Sequence, residues 1–182
     1  MPARFLLRLP DWLHGRLAAR AAARGVSLNE YCVRQLAGPD APSLDHPDAL
    51  VLLERMDAVV GSGLLGVVAH GSWVRGEARA ASDVDILVAC APTVRLTRAL
   101  YRRWDRTPLE WGGRGVDAHF VHLPAAPERA GAVWCEAAVE GVLLHDVGGR
   151  VGDALRGIRR AIAEGRLVRR LAHGQPYWTL AA

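Results

Sequence analysis

Residues 70–88 read His70-Gly71-Ser72-Trp73-Val74-Arg75-Gly76-Glu77-Ala78-Arg79-Ala80-Ala81-Ser82-Asp83-Val84-Asp85-Ile86-Leu87-Val88, and the order of residue types in this stretch decides the fold. An apolar run, Gly66 to Ala69, leads into Gly71-Ser72, and Asp83-Val84-Asp85 opens a second apolar run through Val88. Strand side chains alternate, so Asp83 and Asp85 share one face of one strand. Two adjacent carboxylates repel, and a site that keeps both ionised calls for a divalent cation. Gly71-Ser72 falls where a strand turns into a helix, expected from Ser72 to about Ala78. Backbone N–H groups at such a turn suit an anionic phosphate. A phosphate cradle beside a pair of metal-binding acids is the equipment of phosphoryl- or nucleotidyl-transfer chemistry.

Outward from this stretch the periodicity alternates between helix and strand. Asp48 to Val60 places Leu50, Leu53, Met56, Val59 and Val60 at helical spacing. Gly61-Ser62-Gly63 turns into a strand at 64–69, and a second strand runs over 84–89. Pro92 to Arg106 reads as an Arg-rich amphipathic helix and Gly115 to Leu123 as a strand bearing Asp117. Glu128 to Glu140 reads as helix, and Gly141 to His145 as a final short strand. The expected class is α/β, a small mixed sheet covered by helices. A basic helix from Arg150 through Ala163 follows, then the cluster His173-Gly174-Gln175-Pro176-Tyr177-Trp178, whose aromatics are expected to pack. His119 and His122 lie near Asp117 on opposite strand faces, which favours ordinary packing over a shared metal; His119 shares the Asp117 face. His70 lines the pocket and takes no proton-transfer role.

The spacing Gly71-Ser72, ten residues, Asp83-x-Asp85 resembles the minimal form of the nucleotidyltransferase superfamily, over roughly residues 50 to 146. Arg75-Gly76 after the serine and Ser82 before the first acid fit the same pattern, and Asp117 supplies the third carboxylate that the family carries on a neighbouring strand. The resemblance implies that Asp83, Asp85 and Asp117 are the catalytic and metal-binding acids, holding one or two Mg²⁺. It implies that Gly71, Ser72, Arg75 and Ser82 bind the nucleotide. The implied reaction transfers NMP, AMP from ATP above all, to an acceptor hydroxyl that Asp117 helps to deprotonate, with release of pyrophosphate. Hard carboxylates without clustered Cys or His suit Mg²⁺ better than Zn²⁺.

The N-terminal segment is of a different kind. Arg4, Leu6 and Arg8 alternate with Phe5, Leu7 and Leu9, which predicts a short strand ended by Pro10. Asp11 opens a helix with Leu13, Leu17, Ala18 and Ala21 on one face. Ser27 with Glu30 forms a capping box for a second helix ending at Gly38-Pro39. Strand, helix, helix in about forty residues cannot bury a core alone. The unit resembles a ribbon-helix-helix DNA-binding domain of the antitoxin type, on Arg4 to Pro10 and Val26 to Tyr31. That implies a homodimer through residues 1–38 whose paired strands enter the major groove. Arg4, Leu6 and Arg8 would face bases, and Ser27 and Asn29 a DNA phosphate. An apolar Leu6 departs from the polar residue usual at that position, which weakens sequence readout.

The expected organisation is therefore a 1–38 arm, a Pro-rich linker at 39–47, a transferase unit at 48–146 and a basic, aromatic tail at 147–182. Charge divides the same way: residues 1–38 carry six Arg against two acids, 39–149 ten against fifteen, and 150–182 seven against two. An acidic centre with basic ends points to separate tasks. All 23 basic residues are Arg, which excludes covalent lysyl chemistry and a phosphate-loop lysine. No apolar run is long enough for a membrane span. Three scattered cysteines, Cys32, Cys90 and Cys135, imply reduced thiols and a cytoplasmic home. Minimal transferases of this family often act as antitoxins that modify a partner toxin, so the resemblance implies a cognate toxin and an operator as partners. The alternatives are an aminoglycoside-type antibiotic nucleotidyltransferase and a catalytically inactive DNA-binding regulator. A DNA-binding arm argues against the first, and three retained acids argue against the second.

Overall fold

The computed structural model describes residues 8–23, 27–29, 32, 47–172 and 175–181. The chain divides into two compact units, Met1–Asp40 and Ala41–Ala182. In the first, helix α1 (Asp11–Ala23) starts on the carbonyl of Pro10, which accepts from the N–H groups of Leu13 and His14 at 3.0 Å. Ala21 is buried and Leu13, Leu17 and Ala18 are half-buried, the face that the apolar spacing marks. Arg8, Leu9 and Pro10 carry no strand. The expected strand over residues 3–9 otherwise lies outside the described residues, as does nearly all of the 39–47 linker. Leu28, Asn29 and Cys32 are helical, immediately after Ser27.

The second unit is built on a mixed sheet of order β3-β4-β2-β1-β5. Its strands are β1 (Leu64–His70), β2 (Val84–Cys90), β3 (Glu110–Trp111), β4 (Arg114–His122) and β5 (Val142–Asp146). β1 is antiparallel to β2 and to β5, β3 is antiparallel to β4, and β2 pairs in parallel with β4. Both faces are covered, so β1 and β2 read as continuous apolar runs rather than alternating ones. Helix α2 (Pro47–Val60) puts Ala49, Leu52, Met56 and Val59 on the face made by Val84, Ile86, Val88, Val116, Ala118 and Phe120. Helix α4 (Arg98–Trp104) adds Leu100 and Trp104 there. The other face, Val68, Leu87 and Ala89 among it, is covered by α5 (Ala132–Glu140) and α6 (Arg150–Ala163). Val151, Leu155 and Ile158 of α6 are fully buried, so the basic helix after residue 147 is half of a core layer.

Four expectations about element ends are corrected, each for a local reason. The helix after Ser72 is a single turn, α3 (Gly71–Val74). Gly76 takes φ 67°, Gly76 N–H donates to Trp73 O at 3.0 Å and Glu77 N–H to Ser72 O at 2.8 Å, the paired bonds by which a left-handed glycine ends a helix. The helix expected over 92–106 begins only at Arg98, because Ala91 O accepts Val94 N–H in a turn and Thr97 is extended at the N-cap. The helix expected from Glu128 splits at Gly131, with a 3₁₀ turn at Pro127–Arg129 before α5. Finally, β5 is not the last strand: β6 (Leu167–Ala172) and β7 (Gln175–Leu180) pair antiparallel as a separate hairpin. Leu167 is buried and Trp178 packs against the α5–α6 core, donating from Nε1 to Glu136 Oε1 at 2.8 Å. Tyr177, read with it as a packing aromatic, is exposed.

Candidate active site

β1 ends where β2 and β4 begin, because β1 runs against the other two. Three side chains meet in register at that end: His70 of β1 opposite Asp85 of β2, and Asp85 beside Asp117 of β4. Asp83 lies just before β2 and is exposed. Asp85 and Asp117 fall on the sheet face that Leu87, Ala89 and Val121 continue toward α5 and α6. Neighbouring strands stand about 4.8 Å apart, so two acids from segments 32 residues apart are immediate neighbours. His119 is exposed on the Asp117 face; His122 is on the other, with Nε2 2.9 Å from Val94 O.

The electrostatics follow from this crowding. Burial raises the Asp85 carboxyl above its ordinary range, His70 opposes that rise, and the charges of Asp117 and Asp83 push it further up. Burial holds the His70 imidazole below its ordinary value, against the pull of Asp85. His70 Nε2 is buried with no hydrogen-bond partner among the described residues.

Gly71 answers two demands at once. Its φ of 81° is left-handed, and a Cβ there would run into the carboxylate of Asp85. Only glycine lets the turn close over the acid. The first N–H groups of a helix have no intrahelical partner, and no side chain caps this one. Ser72 stands half-buried within the turn. Arg75 is engaged by acids: it pairs with Glu77 through Nε at 2.8 Å and with Glu140 at the end of α5. Ser82 is a loop residue; its Oγ accepts from Arg79 N–H at 2.9 Å. That bond helps to close the turn before Asp83.

Among the described residues no group of three His, Cys, Asp or Glu forms a ready-made metal cage. The donor set nonetheless suits a hard cation. Asp85 and Asp117 offer oxygens side by side, Asp83 stands next to them, and glycine keeps Asp85 clear. Mg²⁺ is held by one or two carboxylates plus water and substrate phosphate, without a closed protein cage. A cleft of about 290 Å³ opens beside Asp83 and Asp117, lined also by Gly115, Trp104 and Thr107.

Of the residues read as DNA-facing, Arg4 and Leu6 lie outside the described residues, and Arg8, Ser27 and Asn29 are exposed. Sequence reasoning missed Arg114, Gly115 and Glu140. Glu140 pairs with an arginine 65 positions away, which no local pattern marks. No described helix is long and apolar enough to cross a membrane.

Comparison with known proteins gives two family matches. Residues 3–36 match the HicB family, and residues 52–128 match the nucleotidyltransferase domain. No curated protein matches the chain. Among solved structures, a toxin-antitoxin crystallised with AMP-PNP is 18% identical, with a TM-score of 0.42 over 64% of this chain and 88% of that one. A mutant of the toxin-antitoxin MntA-HpeT is 16% identical, with a TM-score of 0.40 over the same shares. The match to the nucleotidyltransferase domain over 52–128 spans Gly71, Ser72, Asp83, Asp85 and Asp117.

Proposed function

We propose that the chain is a Mg²⁺-dependent nucleotidyltransferase that moves AMP from ATP to an acceptor hydroxyl, and that it serves as the antitoxin and DNA-binding regulator of a toxin–antitoxin pair. The observation that carries the catalytic half is the register of Asp85 with Asp117, with Asp83 alongside and the Gly71-Ser72 turn closing over Asp85. Asp83, Asp85 and Asp117 would hold the metal, which when bound supplies charge stabilisation to the phosphates. The Gly71 and Ser72 N–H groups would take phosphate oxygens. Arg75, already oriented by Glu140, would offer a guanidinium to the same phosphates. Asp117, at the cleft, would accept the proton of the acceptor hydroxyl. The regulatory half is supported by the HicB-family match over 3–36 and by the alternation of Arg4, Leu6 and Arg8. A cytoplasmic location and homodimer formation through residues 1–38 belong to the same reading.

The catalytic half is tested by pyrophosphate release from Mg-ATP in the presence of host lysate. Wild type should release pyrophosphate and Asp117→Asn should not; equal release by both removes the assignment. The regulatory half is tested by gel shift of the DNA upstream of the gene. The shift should weaken steeply with salt, as phosphate contacts release counterions, and should be lost in Arg4→Ala/Arg8→Ala. A shift unaffected by that double change would locate DNA binding elsewhere.

A further inference from the structure

Asp83 is set apart from the other two acids. Asp85 and Asp117 are fixed by paired strands, whereas Asp83 ends the loop that joins α3 to β2. An acid on a loop can serve a metal only if the loop is held. The start of β4 supplies the hold. Arg114 Nη1 donates to Arg79 O at 2.5 Å and to Ser82 O at 3.1 Å, with Ala80 O at 3.5 Å. The loop is itself closed, with Ser82 N–H on Arg79 O at 3.0 Å and Arg79 N–H on Ser82 Oγ at 2.9 Å. One guanidinium thus gathers the carbonyls of a small turn that runs straight into Asp83. The next residue, Gly115, faces the acid: a Cβ there would stand 2.8 Å from Asp83 Oδ1. Two residues on along the same strand is Asp117.

We propose that Arg114 and Gly115 are positioning residues for Asp83. Arg114 ties the 79–82 loop to the strand that carries Asp117, and Gly115 leaves the space into which the Asp83 carboxylate fits. The gap between Asp83 and Asp117 is therefore set by consecutive residues of one strand. This rests on the metal-binding reading of the acids and goes beyond it, since neither residue is one of the proposed metal ligands. β3 supports the arrangement from outside, pairing Trp111 with Arg114 and Glu110 with Gly115.

Gly115→Ala is the informative change. Gly115 does not use a left-handed backbone, and what its Cβ meets is the end of a side chain. The fold should accept alanine while the carboxylate is displaced. Mn²⁺ binding to the full chain, read by the loss of the free-ion EPR signal, needs no turnover. Residues that orient metal ligands typically change affinity about 10- to 100-fold, and Gly115→Ala should weaken Mn²⁺ in that range with an unchanged melting temperature. Arg114→Met should do the same. Arg114→Lys should rescue only partly, because an ammonium keeps the charge without the planar fork. On an Asp83→Asn background, Gly115→Ala should add no further loss, the coupling expected of residues acting through one another. Mn²⁺ affinity within twofold of wild type in both Gly115→Ala and Arg114→Met, with Asp83→Asn impaired, would overturn the proposal and leave the metal reading standing. Unimpaired binding by Asp83→Asn would overturn both.

Discussion

Replacing Asp85 by Asn should make the metal-free protein more stable while it destroys the proposed activity. Asp85 sits half-buried beside Asp117, with Asp83 next along its own chain. At the spacing of neighbouring strands, two like charges repel by about 1 kcal/mol in water and about 3.5 kcal/mol at an effective dielectric of 20. Burial adds to this cost, and the pull of His70 and Arg75 offsets it only in part, since the carboxyl stays raised. His70 is held toward its neutral form by burial, and Arg75 is engaged by Glu77 and Glu140. Asn keeps the shape and removes the charge, so a net gain of about 1 kcal/mol is expected, or about 2–4 °C in melting temperature for a chain of this size. The sign with pH is fixed by the raised carboxyl. A folded pKa above the unfolded value gives wild type a contribution that is full below about pH 3.9 and is lost as pH rises through the folded pKa. The advantage of Asp85→Asn should therefore vanish at low pH and be largest near neutrality. Thermal melts at low ionic strength with EDTA, repeated from pH 3 to 8, read it directly. Added Mn²⁺ should raise the wild-type melt and leave Asp85→Asn unmoved. An Asp85→Asn protein that melts below wild type at neutral pH without metal would refute the reasoning, since Asp85 would then be held by a favourable partner.

Two further outcomes concern packing. Trp178→Ala removes the hairpin's anchor in the α5–α6 core and its bond to Glu136; it should cost about 2–4 kcal/mol in urea unfolding, and an unchanged midpoint would mean that the hairpin does not dock. Burial pushes the thiols of Cys90 and Cys135 up to about 11. With only about 0.1% thiolate at pH 8, both should resist a disulfide reagent in the native chain and react on unfolding, whereas fast native labelling of Cys135 would show that α5 opens.

The site's parts were legible because each follows a short-range rule. Gly71-Ser72 closes a strand, Asp85 opens the next with Asp83 two residues before it, at the end of the preceding loop rather than on the strand, and Asp117 alternates within a β-type run. The spans of α2 and α6 followed from helical spacing and those of β1, β2 and β4 from apolar runs. What escaped falls into two kinds. Helix ends turn on single residues: the left-handed Gly76 stops α3 after one turn, and with Thr97 as N-cap α4 starts at Arg98, six residues after Pro92. The hairpin β6–β7 was hidden because Arg169, Arg170 and Leu171 break the alternation that marks a half-buried strand. The second kind is tertiary. The parallel pairing that sets Asp85 beside Asp117, the Arg75–Glu140 pair and the grip of Arg114 on the 79–82 loop join residues far apart in sequence, and no local pattern encodes them.

The most direct test of the central claim follows the fate of individual phosphates of ATP. The full chain, Mg²⁺ and host lysate are incubated with ATP labelled at the α-phosphate, and in parallel with ATP labelled at the γ-phosphate. A nucleotidyltransferase should place the α-label on an acceptor and release the γ-label as pyrophosphate. Asp83→Asn, Asp85→Asn and Asp117→Asn should each lose the transfer by several orders of magnitude, since metal positioning supplies several kcal/mol to the transition state. Transfer of the γ-label instead, or equal α-labelling by wild type and the three variants, would contradict the account.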